Sequence, residues 1–350
     1  MKSQLGKYIR FSLFLGLAIF LIYWVFKDVN FSRMLQEFKK ANYFWLLVSF
    51  LMGLAAFVSR AMRWQLLFEP LGFQSTTLKT FTAVCLGYFA NIAFPRAGEV
   101  VRCTVVNQLT PIPVATLIGT VVLERVIDLF VLLLFLGIVV IGSFSRFGHF
   151  FFDFFNQKFS NLIKLAQESN IILVVFLIVG IGLILFYLLR KFIQIINQNR
   201  NHKWVSKPLE FIKNINKGLS SLLILKRKWA FVGHTLFIWA MYIGMTYVCF
   251  FAYEPTHQLQ FFDSVFLTVV GGFGMSAPVQ GGFGAFHFLI EKALTLFDIN
   301  PVLDAVTGQV LYSPGLVFAT LVHTTQFVLV LIAGLISLVV FYFLKRKYNA

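Results

Sequence analysis

The sequence predicts an all-α polytopic integral membrane protein with about six full spans and two broken, re-entrant helical hairpins arranged as an inverted repeat. Three observations carry this. Some 59% of the residues are hydrophobic and only 13% charged, whereas a soluble domain is about half apolar and one-quarter charged. Six apolar runs reach the roughly 20 residues that a helix needs to cross a hydrocarbon core: Tyr8 to Phe26, Ala41 to Phe68, Val114 to Ile141, Ile171 to Leu189, Trp229 to Tyr253 and Leu311 to Leu344. Two further apolar stretches are cut near their middles by proline and glycine. Transmembrane β-strands would be shorter and alternating, so the runs are helices.

The first run follows Lys2, Lys7 and Arg10, as a signal peptide would. It is longer than a signal h-region and lacks a small-residue cleavage site, which makes it a span. The first interrupted stretch, Leu78 to Val106, breaks at Pro95-Arg96-Ala97-Gly98. The second, Phe262 to Phe297, breaks at Pro278-Val279-Gln280-Gly281, with Gly282 and Gly284 just beyond. Proline removes a backbone donor and glycine loosens the helix, so each stretch reads as two half-helices joined at membrane depth. Each break follows the start of a span, at Asn42 or Trp229, and each is followed by another long span.

Sidedness follows from the basic residues. The connection from Arg190 to Lys228 holds ten Lys or Arg and one acid, Glu210, whereas Glu254 to Asp263 and Asp298 to Tyr312 hold acids and no Lys or Arg. The former is cytoplasmic and the latter two external. Both termini then face the cytoplasm of a bacterial-type inner membrane. Lys27 to Lys40, with four basic residues against two acids, runs against this order. The net charge of +16 is thus a topology signal, and nucleic acid is not expected as a partner. In this orientation the first hairpin enters from the cytoplasm and the second from outside, and such inverted, interrupted pairs point to a transport site near the midplane. The chain divides into 1–41 (first transmembrane helix and connection), 42–141 (first repeat half), 142–228 (extra span and basic amphipathic connection) and 229–350 (second repeat half). In that connection Leu209, Ile212, Ile215, Leu219 and Leu223 recur at helical spacing, fitting a helix that lies on the inner leaflet or on the protein's own cytoplasmic side.

Charges inside the apolar segments cost roughly 2.5 to 3.5 kcal/mol each at a helix centre and need partners or water. Glu124, Arg125 and Asp128 lie in the third run, Arg60 and Arg63 near the end of the second, and Arg96, Glu99 and Arg102 at or after the first break, with Asn91 just before it. Arg125 and Asp128 are three apart and can pair along one helix. Together these residues outline a polar cavity whose arginine forks suit an anion such as a phosphate, with half-helix N-termini adding donors. The second break offers Gln280, His287 and Glu291, the last two one helical turn apart. No nucleotide-binding, hydrolytic or metal-ligand motif is present, and Cys85, Cys103 and Cys249 are isolated, so neither cofactor, metal nor catalytic residue is expected.

The strings Arg60-Ala61-Met62-Arg63-Trp64, Asn91 through Pro95-Arg96-Ala97-Gly98-Glu99 to Arg102, Glu124-Arg125-Val126-Ile127-Asp128 and Pro278-Val279-Gln280-Gly281-Gly282-Phe283-Gly284 resemble the lysylphosphatidylglycerol synthase transmembrane-region family, also called flippase-like domain proteins. The resemblance implies lipid translocation, a membrane phospholipid as partner and a homodimer. In the multiple peptide resistance factors, its best-known members, the membrane domain precedes a soluble domain that transfers lysine onto phosphatidylglycerol. This chain ends shortly after its last span, so a stand-alone membrane domain without lipid lysinylation is expected. The family commonly continues from the second glycine motif into an Arg-Glu pair, and here Phe286-His287 stands instead. The functional expectation is a translocator of a lipid with an anionic headgroup. The competing readings are an ion- or proton-coupled carrier of a small solute and an intramembrane lipid-modifying enzyme.

Single cysteines placed in a background lacking the three native ones test the topology. A cysteine at Gln258 or Asp304 is expected to react with an impermeant maleimide in intact cells. Reaction of position 304 only after lysis would remove the inverted arrangement.

Overall fold

A computed structural model describes residues 31–94, 96–142, 217–304 and 310–349, with short pieces at 16, 19–20, 23, 213–215 and 308. The expected span at Ile171 to Leu189, nearly all of that at Tyr8 to Phe26, the connection before residue 213 and Pro95 lie outside the described residues. The chain divides into two compact units, 1–136 with 215–350, and 137–214. Almost all described residues belong to the first.

Helix α1 (Phe31–Lys40) buries Met34 and Glu37 and exposes Arg33, Lys39 and Lys40. Glu37 accepts a hydrogen bond from the Tyr253 hydroxyl at 3.2 Å and pairs with Lys40, whose ammonium it holds protonated above the usual range. The Asn42 N–H donates to the Ala252 carbonyl at 2.8 Å. Three of the basic residues that run against the charge order, Arg33, Lys39 and Lys40, are thus the exposed face of a helix that buries its one carboxylate, and Lys27 lies outside the described residues.

Helix α2 (Tyr43–Leu66) starts at Asn42, whose side chain accepts the Phe44 N–H at 3.1 Å. After it come α3 (Thr77–Ala93), capped by Thr76, α4 (Gly98–Leu109) and α5 (Val114–Gly142). Further along the chain come α6 (Lys228–Phe250), α7 (Phe261–Met275), α8 (Ala285–Leu294) and α9 (Pro314–Asn349). Asp263 accepts the Gln260 N–H at 2.8 Å to start α7. Ser313 accepts the Leu316 N–H at 3.3 Å to start α9, and Pro314 fills a first-turn position that needs no donor. Between α8 and α9 a short antiparallel hairpin pairs Val302–Leu303 with Val310–Tyr312. The all-α expectation missed it, although β-branched and aromatic residues supply the pairing.

Helices α2, α6 and α9 are long and apolar enough to cross a membrane. Helix α5 has 29 residues, ample for a span, and carries the three charges noted above. The arms of the broken pairs, 17 and 12 residues in one and 15 and 10 in the other, are each shorter than the roughly 20 residues of a typical full crossing. Outward faces are apolar: Val126, Leu129, Phe130, Leu133 and Leu134 of α5 and Leu335, Ile336, Val339 and Phe343 of α9 are exposed. A surface of that kind belongs in hydrocarbon.

Small residues let the backbones approach closely, as membrane helices require. A Cβ on Gly87 of α3 would lie 2.8 Å from the Gly98 carbonyl oxygen of α4, and one on Gly98 would overlap the Gly87 carbonyl. In the second pair, a Cβ on Gly274 would lie 2.7 Å from the Phe286 Cα. Around Trp64, Phe68, Cys103, Leu109 and Leu117 a fully buried apolar core joins α2 through α5. The end of the amphipathic connection packs on the protein itself: Gly218 is buried against Thr116 and Gly119 of α5, and Ser221 and Leu225 are buried, while Leu223 is exposed.

Gly98→Ala is therefore expected to destabilise the protein by about 1 to 3 kcal/mol or more, as overpacking does, and to lower the folded yield in size-exclusion chromatography. Gly233→Ala, on α6 with nothing within 4 Å of its would-be Cβ, is expected to be neutral or stabilising by up to about 1 kcal/mol. Equal behaviour of the two would contradict the close α3–α4 contact.

Candidate functional site

Three helices carry the intramembrane charges to one place. Arg60 and Arg63 lie one turn apart on α2, Glu99 and Arg102 likewise on the first turns of α4, and Glu124 and Asp128 on one face of α5. Arg63 grips Asp128 with both terminal nitrogens, at 2.7 and 3.2 Å, and its Nε donates to Glu124 at 3.3 Å. Arg102 Nη2 reaches the other Glu124 oxygen at 3.0 Å. Arg60 Nη2 donates to Asp128 at 3.2 Å and to the Tyr242 hydroxyl of α6 at 3.3 Å. Thr235, two turns before Tyr242 on α6, accepts from Arg63 at 3.3 Å.

The network is dry at its centre and wetter at one edge. Arg63 and Glu124 are fully buried, whereas the side chains of Arg125 and Glu99 are 44% and 32% exposed. Arg125 pairs with Glu99 at 2.9 Å. The Arg125–Asp128 pair expected along the helix exists only at 4.0 Å, because Asp128 is already held by the two arginines of α2. Rings line the rest: Arg102 lies over Trp64 at 4.7 Å and Arg63 over Phe231 at 5.5 Å, and the Trp64 N–H donates to Thr120 at 2.9 Å.

Within the buried centre, Arg60, Arg63 and Arg102 face Glu124 and Asp128, three positive charges against two negative. Arg60 Nε and Nη1, Arg102 Nε and Trp239 Nε1 are buried without a hydrogen-bond partner. Leaving a buried donor unmatched costs about 1 to 3 kcal/mol, so the centre is strongly disposed toward an acceptor.

A small cleft of about 10 Å³, nearly closed in this structure, lies at the wet edge, lined by Tyr88, Asn91, Gly98, Glu99, Arg102 and Arg125. Asn91 accepts the Gly98 N–H at 2.8 Å across the first break. A larger crevice of about 470 Å³ lies by Gln65, Glu69, Phe73 and Lys226. Its carboxylate pairs with Arg227 in an exposed loop setting, and it lacks the buried charge of the smaller cleft.

Arg96 is not part of the ionic network. It sits in the first break with φ of +60°, a conformation that costs a non-glycine residue roughly 1 kcal/mol or more, and it is exposed. Its Nη2 donates to the Ser276 carbonyl at 2.8 Å, at the C-terminus of α7, where a cation complements the helix dipole. One side chain thus joins the two breaks.

The second break is built from backbone and rings. Gly281, Gly282 and Gly284 adopt φ of +56°, +77° and +79°, which explains the glycine at each. Residue Pro278 is exposed and Gln280 buried. His323 of α9 hydrogen-bonds the Gly281 carbonyl at 2.8 Å, and its ring meets that of His287 edge-on at 4.9 Å between centroids. Phe283 and Phe286 enclose the pair. Glu291 lies against Gly315 at the start of α9, one turn from His287. Sequence reasoning overlooked Tyr242, Thr235, Trp239 and Ser276, because lone hydroxyls, an indole and a backbone carbonyl carry no pattern.

Fold and site together define a polytopic helical membrane protein whose spans enclose an arginine-carboxylate network beside two helix breaks. The chain belongs to the family of the lysylphosphatidylglycerol synthase TM region, whose model matches residues 11–334. It is similar to the UPF0104 membrane protein MJ1595 of Methanocaldococcus jannaschii, at 22% identity over 305 residues that cover 81% of this chain and 88% of the relative. No solved structure matches.

Asp128→Asn and Arg63→Gln are each expected to destabilise by about 3 to 5 kcal/mol, since either change strands a buried partner. Combined, they should cost less than their sum, with a coupling of about 1 to 3 kcal/mol in thermal unfolding. Arg125→Gln should cost no more than about 1 kcal/mol. Strict additivity of the first pair would remove the Arg63–Asp128 interaction from the account.

Proposed function

We propose that this protein is a membrane lipid translocator that moves a lipid with an anionic headgroup between the leaflets. The observation that carries the reading is the cleft of Asn91, Glu99, Arg102 and Arg125, where two guanidinium groups lie beside the N-terminus of α4. A headgroup phosphate there meets arginine donors and the N-terminus of α4, while its acyl chains stay in hydrocarbon along the apolar outer faces. Membership in a family described by a lipid-modifying synthase's membrane region supports lipid as the cargo class.

In this reading, 42–141 and 229–350 form the two halves of an inverted repeat in a cytoplasmic membrane, with both termini inside. Arg96 has two uses: clasping the second break at Ser276, and taking the headgroup when the clasp opens. Gln280, His287 and Glu291 belong to the second break and steer its movement. Transport is favoured over lipid chemistry because Glu99, Glu124 and Asp128 are each committed to arginines, which leaves none of them poised as a general base. The rival reading, a proton-coupled solute carrier, draws on the buried His287–His323 pair.

Purified protein in liposomes, assayed for transbilayer movement of labelled lipids, tests the proposal. Anionic phospholipid is expected to move faster than zwitterionic. Arg96→Ala and Arg102→Ala are expected to lower that rate at least roughly tenfold, about 1.4 kcal/mol. Arg96→Lys, which keeps charge but loses the fork, should fall between. A wild-type rate in Arg96→Ala removes this residue from the site, and no movement of any lipid by folded wild-type protein overturns the function.

A further inference from the structure

We propose that the buried ionic centre holds a small monovalent inorganic anion of the halide class, bound to Arg60 on the side of α6 that carries Trp239 and Tyr242. The inference does not depend on the cargo of the cleft.

Charge is the first ground. The Arg125–Glu99 pair at the wet edge is neutral in itself, so the surplus resides in the dry centre of Arg60, Arg63, Arg102, Glu124 and Asp128. One monovalent anion cancels it, and a divalent one reverses it. An uncompensated charge is least tolerable where the dielectric is lowest.

Unspent donors are the second, independent ground. Arg60 is 3% exposed, and of its nitrogens only Nη2 is engaged, by Asp128 and Tyr242. Its Nε and Nη1 carry three N–H bonds that meet no acceptor. The Trp239 indole N–H is also buried and unmatched. Trp239 lies four residues after Thr235, which meets Arg63, and three before Tyr242, which meets Arg60. It therefore shares the α6 face that meets α2, and its ring packs on Phe135 of α5 at 5.4 Å. A halide accepts from several donors without fixed geometry, which suits a guanidinium and an indole on two helices.

Size is the third ground. A phospholipid headgroup brings glycerol and chains with it, and Arg60, Trp239 and Thr235 are all buried, whereas the cleft lies on the Asn91 and Arg102 side. The Asp128 oxygen on Nη2, 3.2 Å away, opposes any anion and further favours a singly charged, weakly hydrated one.

Thermal unfolding of purified full-length protein is measured in sodium bromide and in sodium gluconate at equal ionic strength, and bromide is located by anomalous scattering. The expected result is a rise in Tm with bromide that follows RT ln(1 + [bromide]/Kd), roughly 2 °C at tenfold excess over Kd, and an anomalous peak beside Arg60. Arg60→Lys keeps the charge but removes Nε and Nη1, and Trp239→Phe keeps the ring but removes the N–H. Each is expected to raise the bromide Kd fitted to that rise at least fivefold. Trp239→Phe carries the test alone should Arg60→Lys fail to fold. Coincident bromide and gluconate curves overturn the proposal, as does a bromide response that both variants retain. Stabilisation by glycerophosphate but not by bromide, lost in Trp239→Phe, also overturns it and assigns Arg60 to a lipid headgroup. None of these readouts involves lipid movement, so failure here is distinct from failure of the translocator reading.

Discussion

Everything in the described part of this protein is arranged around the bond between Arg63 and its two carboxylates, Glu124 and Asp128. A charge left bare at membrane depth costs several kcal/mol, and Arg63 is wholly buried. Its fork must therefore meet both acids at once, which fixes the axial register of α2 against α5 to within less than a helical turn. Arg102 must reach the second Glu124 oxygen, and that requirement sets where α4 begins. The close glycine contact between Gly87 and Gly98 is what lets α4 lie near enough to α3 for Arg102 to arrive. Helix α6 is drawn in by Thr235 and Tyr242, which accept from the same guanidinium nitrogens that donate to Asp128.

The two breaks solve the same backbone problem with different chemistry. In the first, side chains do the work: Asn91 satisfies the Gly98 N–H and Arg96 takes the strained left-handed position. In the second, three glycines absorb the positive φ values, and His323 holds the Gly281 carbonyl from the neighbouring helix. Arg96 on Ser276 ties one break to the other. A movement that opens either hairpin must therefore break or remake that bond.

The second break differs in character from the first at Phe286-His287. Two aromatic rings and two imidazoles fill the space beside Gly281. Among the described residues the unmatched guanidinium donors lie instead on α2 and α4, and α6 adds the Trp239 N–H.

Much of this was legible in the chain. The low charge content and long apolar runs dictate helices in a bilayer, since no other structure satisfies the backbone there. Proline and glycine at Pro278 and Gly98 marked the breaks, and charges inside apolar runs marked Arg60, Arg63, Glu124 and Asp128 as members of one polar site. Their pairing was not legible. Spacing along one helix favours Arg125 with Asp128, yet Asp128 goes to α2 and Arg125 to Glu99, because a charge buried between helices is stabilised most by the partner that best replaces its water. Likewise, Arg96 read as a ligand contact and lies on a carbonyl 180 residues away. Sequence determines which groups must be compensated in a low-dielectric interior, and only the tertiary structure decides by which neighbours, since hydrogen-bond energies depend on distances that no local pattern encodes.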